Sequence, residues 1–185
     1  MSASIPHLLV GWQSYYVIIG SSGAALTGLQ FVVMALMAET TMPATGGEAG
    51  VAAFGSPTIV HFCAALLLSA MLSAPWPADA GIITAVDVLG AAGVLYMLNV
   101  LRRALRQKAY KMVHEDWWWH LVLPFAAYGA FLMAGLMMPS NPVEALFVAA
   151  VAPAALLYIG IHNAWDSITY TVIKQAKARL EAAQK

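Results

Sequence analysis

The chain has 185 residues, 61% of them hydrophobic, with a mean hydropathy of +0.74 and nine basic residues balanced by nine acidic ones. Soluble domains are about 45–50% apolar, so a water-soluble globular protein is excluded, and the neutral balance without a basic face excludes a nucleic-acid binder. A single cysteine, Cys63, excludes a disulfide or a thiolate metal cluster within one chain.

Met1 to Val10 carries no basic residue, and the apolar stretch behind it is too long for a signal-peptide core. It reads as a retained membrane span. A bilayer core of about 30 Å needs about 20 apolar residues in a helix. Five stretches approach or meet that length: Tyr15 to Ala38, Pro57 to Ser73, Ala80 to Leu101, Trp117 to Met138 and Val143 to Thr171. The second is short. The fifth continues as a polar helix, Lys174 to Ala183. Lipid cannot satisfy free backbone groups, so each span is expected to be helical. The expected fold is a single all-α domain, a five-helix transmembrane bundle.

Turn and cap residues mark the boundaries. Ser56-Pro57 fits N-cap and first position of the second helix. Asn141-Pro142, with Glu144 three residues after Asn141, does the same for the fifth. Pro75, Pro77 and Asp79 mark one turn, and Pro139 to Pro142 another. The segment from Glu39 to Gly55 reads as a glycine-rich, acidic loop. Pro124 and Pro153 fall inside spans, where each removes a backbone hydrogen bond and invites a kink.

Every lysine and arginine lies in one of two segments: Arg102, Arg103, Arg106, Lys108 and Lys111, then Lys174, Lys177, Arg179 and Lys185. Two spans separate them, so both emerge on the same side. Positive loops stay in the cytoplasm. The N-terminus is then outside and the C-terminus cytoplasmic, as in a multi-pass protein of a bacterial inner membrane. The first basic segment also suits anionic lipid head groups. Trp12 and Trp76 fall at the outer interface, and Trp117, Trp118, Trp119 and Trp165 at the inner one. An odd number of spans excludes a simple inverted duplication.

Polar residues inside spans are costly and suggest function. Asp87 lies about 10 Å inside the third span, counted at 1.5 Å per residue from the outer end. Ser21, Ser22 and Tyr128 lie at similar depth. Asp87 reads as a protonatable or cation-binding carboxylate, or as a structural one bonded to those hydroxyls. A second group gathers in the inner half: His61, His120, His162, Asp166, Asn99, Asn163 and Gln30. Asp116 with His120, and His162 with Asp166, have i,i+4 spacing and share a helix face. Such pairs suit a divalent metal, or carboxylates that fix histidine tautomers. Haem would need two imidazoles at matching depth on facing helices. His61 and His120 match in depth, whereas His162 is deeper.

Small residues at spacing four, Gly20, Ala24 and Gly28 on the first span and Ala126, Ala130 and Ala134 on the fourth, permit close helix approach within one chain or in a homo-oligomer. Signatures of metallopeptidases, serine hydrolases, phosphate loops and dinucleotide sites are absent.

The stretch Gly20-Ser21-Ser22-Gly23-Ala24-Ala25-Leu26-Thr27-Gly28-Leu29-Gln30-Phe31-Val32-Val33 resembles the first helix of small uncharacterised bacterial integral membrane proteins. The resemblance implies a bacterial membrane origin and carries no activity with it. Three functions remain open: permeation of a small solute or ion along the two polar levels, a membrane enzyme with a metal or haem at the histidines, and a subunit of a larger membrane complex.

Overall fold

The computed structural model describes residues 4–41, 47–106 and 114–183, which are helical almost throughout and contain no strand. In chain order the elements are α1 (Ile5–Leu9), a 3-10 turn (Val10–Trp12), α2 (Gln13–Thr41), α3 (Gly47–Leu72), α4 (Asp79–Arg106), α5 (His114–Trp117), a π-helical turn (Trp118–Val122), α6 (Leu123–Met137) and α7 (Pro142–Ala183). Four stretches are long and apolar enough to cross a membrane: Ile5–Ala35, Asp79–Arg106, Trp118–Met137 and Pro142–Tyr170. The Pro57–Leu72 part of α3 is apolar but shorter.

Helix boundaries differ from expectation in two places. The first helix begins at Ile5 rather than near Tyr15. Ser4 is extended, proline occupies the first turn, and the Ser4 carbonyl accepts from the His7 and Leu8 N–H groups at 3.0 and 3.1 Å. Asp79 Oδ1 accepts the Ile5 N–H at 2.9 Å, satisfying a donor that a helix start leaves open. The loop expected from Glu39 to Gly55 is helical over most of its length, because α2 runs to Thr41 and α3 begins at Gly47. Pro57 therefore sits inside α3 and does not start it. Proline already holds a helical φ, so the helix loses one bond there without having to stop. Pro142 does open α7, which continues without a break for 42 residues, about 63 Å at 1.5 Å per residue.

α3 packs on α7, α7 on α6 and α6 on α4, and α4 touches α3 to close a four-helix core. α2 lies outside this core and packs mainly on α3. Its buried stripe, with α1, is Ile5, Leu9, Tyr16, Gly20, Gly23 and Gln30. The opposite faces stay apolar: Ile18, Leu67, Leu95, Leu136 and Phe147 are exposed on α2, α3, α4, α6 and α7. Such a belt around a whole bundle suits lipid and not water.

In lipid the apolar residues gain little by leaving their surroundings, so helices are held by close packing and by hydrogen bonds. Glycines supply the closeness. A Cβ at Gly23 would meet the Phe62 carbonyl at 2.9 Å, and one at Gly90 would meet the Leu132 backbone at 2.6 Å. Gly93 faces the Tyr128 ring, Gly135 the Asp87 carboxylate and Gly160 the Phe62 ring. Of the small-residue stripe expected on α2, Gly20 approaches Ser69, but Ala24 is exposed and Gly28 has nothing near it. The working spacing is three, Gly20 and Gly23. On α6, Ala134 is buried while Ala126 is exposed.

Candidate functional site

Among the described residues the buried polar side chains are few: Gln30 of α2, Thr58, His61 and Ser69 of α3, and Asn163 of α7. His61 of α3 is 1% exposed and Asn163 of α7 is 0% exposed, in the half of the bundle that holds Trp118 and Trp119. His61 Nδ1 shares a 3.2 Å hydrogen bond with the Tyr128 hydroxyl of α6, and His61 Nε2 has no partner. Phe62, beside His61, rests on Gly160. Asn163 is three residues beyond Gly160, so His61 and Asn163 lie within about one helical turn of each other along the bundle. His120 stands on the π-helical turn that precedes α6, the helix of Tyr128. His120 Nδ1 and Asn163 Oδ1 are also buried without partners.

Pro124 builds this level. It has no N–H for the His120 carbonyl, and its ring crowds that carbonyl. The helix answers with the π-helical turn Trp118–Val122. Leu123 gives its N–H to the Trp118 carbonyl instead of to Trp119, and Pro124, next in line, has none to give. The Trp119 carbonyl is left open and accepts a long 3.4 Å hydrogen bond from Asn163 Nδ2. That bond fixes the amide, turning Oδ1 into a bare acceptor. π-turns of this kind concentrate at functional sites. The expected kink at Pro124 thus takes the form of an inserted wide turn that carries His120.

The other candidates separate from this level. Asp87 Oδ1 is buried without a hydrogen-bond partner and lies against Gly135, in the seam between α4 and α6. The bond expected between Asp87 and neighbouring hydroxyls is not formed. Ser22 Oγ donates to the Ile18 carbonyl of its own helix at 2.8 Å, Ser21 is exposed, and the Tyr128 hydroxyl faces His61. Both serines stand on α2, whose partner is α3, so they cannot meet a side chain wedged between α4 and α6. Gln30 is buried on α2, and Asn99 is exposed on α4, turned away from its buried neighbour Met97.

The histidine–carboxylate pairs do not assemble a metal centre among the described residues, where no three His, Cys, Asp or Glu side chains converge. His162 lies flat on Trp119, with centroids 3.6 Å apart and planes at 8°, and its buried Nδ1 has no partner. Asp166 is exposed. Stacking thus directs His162 to Trp119 and not toward a metal shared with Asp166. The Asp116 side chain, Lys108 and Lys111 lie outside the described residues. Arg102, Arg103 and Arg106 are exposed at the C-terminal end of α4, where cations suit the helix dipole.

At the opposite end, Pro6, Leu9, Gln13, Leu72 and Trp76 help line a recess of about 300 Å³. Trp76 Nε1 donates to the Met71 carbonyl at 2.8 Å, and Trp12 packs edge-on against Phe147. Tryptophans therefore mark both ends of the bundle.

The sequence places His61 and Asn163 in one inner group but sets Tyr128 at the depth of Asp87. The signal that could have joined them is Pro124, whose missing N–H opens a carbonyl for Asn163 to reach. Comparison with known protein families, curated proteins and solved structures finds no match to this chain.

Proposed function

We propose that the chain is a five-span membrane protein of a bacterial inner membrane, with its N-terminus outside, through which a small solute or ion permeates. The apolar part of α3 would be the fifth crossing, sheltered between α2 and α7. Both basic segments would then face the cytoplasm, where Arg102, Arg103 and Arg106 would meet anionic lipid head groups. The observation that carries the reading is the set of buried, unpartnered polar atoms on His61, His120 and Asn163 inside an apolar core. Each unmet group costs about 1–3 kcal/mol, a cost that a passing polar species offsets. Asp87 would be the outer station. It rests on Gly135 of α6, seven residues beyond Tyr128, or about 10 Å along the helix.

The test is flux into liposomes reconstituted with the full chain. Wild type should exceed protein-free liposomes for a small ion or solute, and Asp87→Asn should lower that rate while the protein elutes normally in detergent. Wild-type flux equal to that of empty liposomes, for ions and neutral solutes alike, would sink the proposal.

A further inference from the structure

The hydrogen-bond inventory at the inner polar level defines what can sit there. Asn163 Nδ2 gives one of its two hydrogens to the Trp119 carbonyl, which leaves one N–H beside the acceptor Oδ1, itself buried and unpartnered. A ligand must donate a hydrogen to it. At His61 the free atom is Nε2. If the Tyr128 hydroxyl donates to Nδ1, Nε2 carries the ring hydrogen and the ligand must accept there. With the other tautomer, the ligand donates twice. Chloride and other simple anions have no hydrogen to give Oδ1. A bare cation would find neutral groups alone, since Asp87 is about 10 Å further along α6 and faces Gly135. An ion without a counter-charge at such a depth costs several kcal/mol.

Size is limited as well. Phe62 is pressed onto Gly160, and Leu121, Ala127 and Leu156 are all buried around this level. Buried polar atoms in so closely packed a setting are usually met by single water molecules.

We propose that the His61–Asn163 level is a binding site for a neutral, water-sized molecule that both donates and accepts hydrogen bonds, the class of water, hydrogen peroxide and ammonia. The inference rests on the permeation reading and names its substrate class. His61 and Asn163 orient the molecule, and Tyr128 holds the ring that does so.

The experiment uses the full chain in liposomes, with four assays run side by side. They measure osmotic water permeability by stopped-flow light scattering, hydrogen peroxide entry by an enclosed dye, ammonia entry by internal pH, and sodium and chloride flux. At least one neutral molecule should cross faster than in protein-free liposomes, while sodium and chloride do not. Asn163→Leu, which fills the site and removes the acceptor, should return that rate to the protein-free level. His61→Gln puts a hydrogen-bonding amide in place of the imidazole and should stay within about tenfold of wild type, the worth of one hydrogen bond. If the leucine variant fails to fold, Asn163→Ala replaces it, and its rate must also fall. Ion flux without any neutral flux overturns the substrate class and leaves permeation standing. Neutral flux that both Asn163 variants leave unchanged overturns the site. No flux of any species overturns both.

Discussion

His61 is held through one ring nitrogen, and Tyr128 is the side chain that holds it. Tyr128→Phe should leave a second buried nitrogen unpaired and cost about 1–3 kcal/mol, read as a lower thermal midpoint in detergent. The glycines offer a sharper comparison. Gly90→Ala pushes a methyl into the Leu132 backbone, and the helices must part, at a cost of about 1–3 kcal/mol. Gly28→Ala meets nothing and should be neutral or stabilise by about 0.5–1 kcal/mol through helix propensity. The same thermal scan checks both. Counting residues from the span end places Tyr128 level with Asp87, in the outer half. Its side chain leans toward the start of its helix, as helical side chains do, and carries the hydroxyl inward to His61. The helix pairing also corrects the depth itself: Asp87 lies against Gly135 and Tyr128 against Gly93, about 10 Å apart along α6, so Tyr128 serves His61 and not Asp87.

Among the elements, the π-helical turn depends most directly on one residue. Pro124→Ala returns an N–H to the His120 carbonyl, and the α-helical register should resume through Trp118–Val122. The turn would gain a backbone bond, close the Trp119 carbonyl to Asn163 and swing His120 round the helix. Backbone chemical shifts of residues 118–122 would report the change; shifts identical to those of wild type would show that Pro124 does not set the turn. Much of this element scale is legible in the sequence. Long apolar runs mark the helices, and Asn141-Pro142 marks the start of α7. The start of α3 is not, because Ser56-Pro57 has the local chemistry of a helix start and only the continuing helix before it shows otherwise. The start at Ile5 is not legible either, for the opposite reason. Asp79, which caps it, is far away in the chain.

For the whole molecule, both basic segments flank the α6–α7 pair, and the proposed orientation rests on them. A fluorescent reporter fused after Lys185 should glow in the cytoplasm, and a phosphatase that works only outside should be active when inserted at Ser140. The reverse pattern would invert the bundle. What composition could not supply is the order of packing, since apolar helices look alike from outside and their partners are chosen by small residues and a few polar atoms. α3 shows what that order entails for a ribosome-bound chain. Its apolar run is the shortest, Pro57–Leu72, and it carries Thr58, His61 and Ser69 as buried polar residues. α2 is available to it at once, but α7, which covers its other face, is made only after α4 and α6. Until then the shortest apolar segment must wait half-covered, either beside the translocation machinery or in the company of α2. Slowing or truncating synthesis before α7 should therefore expose α3 first, making it the place where an incomplete chain is recognised and degraded.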